Sequence, residues 1–91
     1  MELHDRIVEE LDQTKSLAAL IWLIDRGREL EFSVEGKGYF LSRSKAEKYV
    51  SLWDSAARQS FDTVEQLLEN AAIGGRPFLD AWKDAKIETI F

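Results

Sequence analysis

A lone histidine, a knot of carboxylates, a set of serines and a glycine–lysine loop are the groups in this chain with the means to do chemistry. Metal binding would start from His4, the single histidine, with Glu9 close in sequence. A divalent site needs three or four donors at fitting separations, and no such set stands beside this pair. His4 is therefore expected to be a surface residue on the polar side of a terminal helix. Glu9, Glu10 and Asp12 would have to be buried and mutually perturbed to act as general acid and base, whereas acids on an exposed helical face ordinarily solubilise it. Ser42, Ser44, Ser51, Ser55 and Ser60 have no histidine base near them in sequence and sit in no nucleophile-elbow pattern. Gly36-Lys37-Gly38 lacks the spacing, the terminal Lys-Ser/Thr and the following helix of a phosphate-cradling loop, and reads as a hairpin turn. The expectation is a protein that is not an enzyme, with no catalytic residue, no metal and no cofactor.

Composition narrows the partners. Ninety-one residues with 45% hydrophobic content fit one domain over 1–91. The absence of cysteine excludes disulfides and thiolate chemistry and fits a cytoplasmic setting. The longest apolar run, Leu17 to Ile24, is far short of the roughly 20 residues that span a bilayer. Met1-Glu2-Leu3-His4-Asp5 has no basic segment leading into an apolar one, so neither a signal peptide nor a membrane partner is expected. The formal charge is −5, and the middle of the chain is mildly basic between acidic flanks. Nucleic-acid affinity runs mainly on phosphate neutralisation, so direct DNA or RNA binding is not expected of an acidic chain without a Lys/Arg cluster.

The elements that must position any site are best marked at Phe61 to Trp82. Asp62 is placed to cap a helix with Glu65 returning the bond, and Val64, Leu67, Leu68 and Ala71 then share one face. Gly74 and Gly75 are expected to stop that helix, Pro77 to sit in the first turn of the next, and Phe78, Leu79 and Trp82 to form its stripe. Upstream, Leu3, Ile7 and Leu11 predict a short amphipathic helix, and the run to Arg26, ended by Gly27, a helix packed on more than one side. Whether the two form one rod is left open by Gln13-Thr14-Lys15. Trp22 and Trp82 are expected in the core.

From Arg28 the period becomes alternating: Leu30, Phe32 and Val34 face one way, and Glu29, Glu31, Ser33 and Glu35 the other. A two-residue loop at Glu35-Gly36 or Gly36-Lys37 puts Tyr39 and Leu41 on the face of Phe32 and Val34, with Phe40 on the opposite face. Residues 44–60 allow two readings. Periodicity slightly favours a helix, with Ser44 and Glu47 as its capping box. The alternative is a hairpin, with a strand over Lys48 to Asp54, a turn at Ser55-Ala56-Ala57 and a return from Arg58 to Phe61. The alternating tail Lys86 to Phe91 suits a last strand.

The pattern Arg28-Glu29-Leu30-Glu31-Phe32, Gly36-Lys37, Tyr39-Phe40-Leu41-Ser42-Arg43, Gln59-Ser60-Phe61, Leu67-Leu68-Glu69-Asn70-Ala71, Gly75, Leu79, Trp82 resembles small bacterial and prophage-encoded proteins of unknown function. It covers about residues 14–91 and leaves 1–13 as a helical extension. The resemblance implies a strand over Lys48 to Asp54, which those relatives often enter through a glycine turn where this chain has Lys45-Ala46. It carries no catalytic residue. The expected fold is α+β: N-terminal helices, an antiparallel β-meander of three to four strands, two short C-terminal helices and a closing strand.

Strand parity then yields a functional expectation. With a two-residue loop at Lys45-Ala46, Ser42 pairs with Tyr49 and Leu41 with Val50, so Val50 and Leu52 join the core face. Phe40, Tyr49 and Trp53 are left on the other face among Ser33, Ser42 and Ser51. Aromatic anchors in a polar surround are typical of interface centres, and these three are the expected partner-binding residues. The partner would be a protein of unknown identity, met by an accessory product of a phage or mobile element. A helix bearing Leu3, Ile7 and Leu11 folded over this face would explain the aromatics equally well, and self-association through the same patch is a third option. The other binding class is an acidic inhibitor that mimics the phosphate track of DNA to occupy a nucleic-acid-binding protein.

Overall fold

The computed structural model describes residues 3–44, 48–55 and 57–91. The capping pair expected at Ser44 and Glu47, the Lys45-Ala46 loop, Ala56 and the His4 side chain lie outside the described residues.

Two helices open the chain, α1 (Leu3–Thr14) and α2 (Leu17–Asp25). They are separate because Lys15 takes a left-handed φ of 56° and Ser16 caps α2, its Oγ accepting from the Ala19 N–H at 3.2 Å. The end of α2 is a Schellman arrangement, with the Gly27 N–H donating to the Ile24 carbonyl and the Arg28 N–H to that of Leu23. The α1 stripe engages only towards its C-terminal end: Leu11 is fully buried, Ile7 is half-buried and Leu3 is exposed.

The alternating segment from Leu30 builds the sheet. Strands β1 (Leu30–Val34), β2 (Lys37–Ser44), β3 (Tyr49–Trp53) and β4 (Arg58–Phe61) form an antiparallel meander. β7 (Lys86–Ile90) pairs antiparallel with β1 and closes the order β4-β3-β2-β1-β7. Glu35 and Gly36 form the β1–β2 turn with φ of 52° and 81°, the double positive φ of a type I′ hairpin. The described residues of 44–60 thus form strands and not a helix, because the alternation of Val50 and Leu52 with Ser51 and Trp53 is satisfied against a sheet already in place.

Its register differs from expectation by two residues. Ser44 pairs with Tyr49, Ser42 with Ser51 and Phe40 with Trp53, so the β2–β3 connection is four residues long, not two. An even shift preserves parity, and every side chain keeps its expected face. Leu30, Phe32, Val34, Tyr39, Leu41, Val50 and Leu52 are all buried on one side.

Helices α2, α3 (Val64–Asn70) and α4 (Phe78–Trp82) cover that side, and α1 packs on α2. Phe32 meets Trp82 at 5.3 Å and Phe78 at 6.2 Å, both edge-on, while Phe78 and Trp82 stack at 5.6 Å. Full burial of a Phe side chain is worth roughly 1.5–3 kcal/mol, so this cluster is a principal tie between layers. The Trp82 Nε1–H donates to the Lys15 carbonyl at 3.0 Å, and Lys15 Nζ donates to the Ala85 carbonyl, fastening the α1–α2 joint to the end of α4. Trp22 is half-buried, with the Arg26 guanidinium 4.0 Å from its ring centroid.

The Phe61 to Trp82 stretch departs from expectation in three places. Thr63, not Asp62, caps α3: its Oγ accepts from the Gln66 N–H at 3.1 Å, and Gln66 Oε1 accepts from the Asp62 N–H at 3.3 Å. Threonine with glutamine three residues on is the better capping pair. Gly74 and Gly75 do not end a helix; at φ of 58° and 81° they turn a small ribbon of β5 (Ala72–Ile73) and β6 (Arg76–Pro77). Pro77 is the N-cap of α4, one position before the first turn. In α4 the buried set is Phe78, Ala81 and Trp82, and Leu79 faces out, because a turn of 3.6 residues carries 79 away from 78 and 82. Among the described residues no helix is long and apolar enough to cross a membrane.

Candidate functional site on the open sheet face

All described helices in contact with the sheet lie on one side, so among the described residues no helix covers the opposite side. Parity sends Phe40, Ser42, Tyr49, Ser51, Trp53, Arg58 and Ser60 there, together with Glu31 and Ser33 of β1. Helix α1 does not cover this face, because its buried residue Leu11 belongs to the helix-side core. Tyr49 is 45% and Trp53 40% exposed.

The three expected residues are not one cluster. Phe40 and Trp53 are directly opposed across β2 and β3. Tyr49 lies four residues back along β3, about 13 Å away at the rise of an extended strand, with Ser51 between. Ser51 is the buried polar residue of the face, and its Oγ lies 3.0 Å from Ser60 Oγ, which satisfies the pair. Arg58, opposite Trp53 on β4, lays its guanidinium 5.0 Å from the Trp53 ring centroid.

A third aromatic, Phe91, joins Phe40 where Tyr49 does not. Its N–H donates to the Glu29 carbonyl at 2.9 Å, extending the β1–β7 ladder, and its ring meets Phe40 edge-on at 6.0 Å. The reason is an irregularity in β7: Glu31 pairs with Thr89 but Phe32 with Ile87, so Glu88 is an extra, bulged residue. The bulge turns Ile87 and Ile90, three apart, to the same core-packed side and brings Glu88 to the open face, where Ser33 Oγ donates to its Oε1 at 2.9 Å. The signal was present in the sequence as apolar residues three apart inside an alternating run.

Between these side chains the face is concave. A depression of about 330 Å³ is lined by Gly38 and Phe40 of β2, Trp53, Asp54 and Ser55 at the end of β3, Glu31 of β1 and Glu88 of β7. Gly38 opposes Ser33 and makes the floor, since a glycine contributes no side chain to the face it would occupy. Among the described residues neither Glu31 nor Glu88 forms an ion pair, while Asp54 lies 3.7 Å from Lys37 Nζ.

Other charged groups are engaged in holding the fold. Arg76 reaches Asp80 at 3.0 Å, Asp84 at 2.9 Å and Glu35 at 3.5 Å, tying the ribbon to α4 and to the β1–β2 turn. Hydrogen bonds to Asp84 and then Asp80 raise the Arg76 pKa above its already high ordinary value. No group of three or more potential metal ligands occurs among the described residues.

No protein-family profile, curated protein or solved structure matches the chain. Fold and face therefore rest on geometry.

Proposed function

We propose that this protein is a non-enzymatic interaction module that docks a protein partner on the open face of its sheet. The observation that supports it is the exposure of Trp53, Tyr49 and Phe91, with half-buried Phe40 between Trp53 and Phe91, beside small hydroxyl residues on a face that no helix among the described residues covers. Aromatics ringed by polar groups concentrate binding energy because they bury large area at small entropic cost. Its place as an accessory product of a phage or mobile element follows from the sequence resemblance. A phosphate-track mimic would need a run of unpaired carboxylates, and Glu35, Asp80 and Asp84 are drawn to Arg76 while Asp25 meets Arg43 at 2.8 Å.

The test is Phe40→Ser and Trp53→Ser, made singly. Each variant is expected to stay folded and monomeric, with stability changed by less than ~1 kcal/mol, and to lose a protein that the wild-type bait retains. Loss of ~3 kcal/mol or more, as for truncated core aromatics, or a wild-type protein that is itself dimeric through this face, overturns the reading.

A further inference from the structure

Gly38 is the glycine that the backbone does not require. Its neighbour in the hairpin, Gly36, sits at φ 81° in the turn, whereas Gly38 lies within β2 without a positive φ, and a Cβ built there meets nothing within 4 Å. Glycine inside a strand weakens it, and where neither φ nor crowding asks for one, the remaining use is the space it leaves. That space is the depression walled by Phe40 and Trp53.

Its chemistry is one-sided. Phe40 and Trp53 line the hollow together with Glu31 and Glu88, and neither glutamate has an ion-pair partner among the described residues. Glu88 is there because of the bulge and is steadied by Ser33. An aromatic wall beside carboxylates is the setting a guanidinium prefers: it stacks on the ring and meets the carboxylate through its planar donors. The fold already uses the cation–ring half of this setting, where Arg58 of β4 lies 5.0 Å from the Trp53 ring centroid.

We propose that the Gly38 depression receives an arginine side chain presented by the protein partner. This deepens the interaction-module reading and rests on it. Charge complementarity favours a basic segment as the occupant, since the chain carries a net charge of −5 and Glu31 and Glu88 at the hollow have no ion-pair partner among the described residues.

The 91-residue protein is titrated with the peptide Ac-Gly-Arg-Gly-NH2 and with its uncharged citrulline analogue while backbone and indole N–H resonances are followed. The arginine peptide should shift the Gly38 amide and the Trp53 indole in a saturable way at millimolar concentration, and the citrulline peptide should do so at least tenfold more weakly. Gly38→Leu, whose Cβ meets nothing within 4 Å and whose side chain enters the hollow, should abolish the shifts while leaving the fold intact. Glu31→Gln with Glu88→Gln should weaken them at least tenfold. Equal response to both peptides, undiminished binding by Gly38→Leu, or shifts centred elsewhere overturns the arginine assignment. If Trp53→Ser stays folded and loses a protein partner while the arginine peptide gives no shifts, the assignment alone falls. If Trp53→Ser unfolds, the docking face falls first.

Discussion

Two glycines with open space around them separate backbone demand from steric demand. At both Gly38 and Gly75 an added Cβ meets nothing within 4 Å, but Gly75 has a φ of 81° and Gly38 has no positive φ. Gly75→Val should therefore destabilise by ~1 kcal/mol or more, from left-handed strain alone. Gly38→Val should stabilise by ~0.5–1 kcal/mol, as a β-branched residue replaces glycine within a strand. Denaturant unfolding of the two variants measures both, and effects of the same sign would remove the distinction. Trp53 shows how far a side chain's placing was legible: alternation alone puts it on the open face. Phe91 and Glu88 were not, because their positions follow from a bulge, which adds one residue and reverses parity beyond it.

Elements were legible wherever a period of 2 or 3.6 extended over several residues, and illegible where it was too short to count. The Phe32–Val34 and Tyr39–Leu41 faces came through, and the β2–β3 pairing kept its faces although the loop was two residues longer than expected. Side-chain alternation does not encode loop length. The β5–β6 ribbon has two residues a strand and so no period, which is why its Gly-Gly turn resembled a helix stop. What holds that ribbon is Gln59, whose amide donates to the Ala72 carbonyl at 2.7 Å and accepts from the Ala72 N–H at 2.9 Å, a side chain acting as one rung of a sheet. Gln59→Ala should raise hydrogen exchange at Ala72 while leaving the central strands protected. The cap is equally specific: Thr63→Ala should cost ~1 kcal/mol and Asp62→Ala less than half of that, because Thr63 supplies the capping oxygen. Equal losses in thermal unfolding would restore Asp62 as the cap.

Over the whole molecule, one side of the sheet is invested in stability and the other is open. The acid excess is spread over the surface, and the basic residue with most partners, Arg76, is occupied internally. Its raised pKa means that its charge is present below the ordinary arginine value and lost only as pH rises through the still higher folded value, so these ion pairs do not dissolve through arginine titration near neutrality. No sequence-independent DNA or RNA binding is expected at ~150 mM salt. A gel shift at low micromolar protein would contradict this.

The pairing of β1 with β7 also sets an order of events during synthesis. Leu30 leaves the ribosome sixty residues before its partner Ile90, and until then one edge of β1 has no neighbour. The meander and its hairpins can form early from local contacts, but the sheet reaches its final width last, after the strand pairing that spans the most sequence. Chains arrested ahead of Lys86 should remain readily cleaved by protease through β1, and those that extend through Phe91 should not. For the interval between, the aromatic face and an unfinished edge are exposed together, which makes speed of completion a guard against edge-to-edge aggregation.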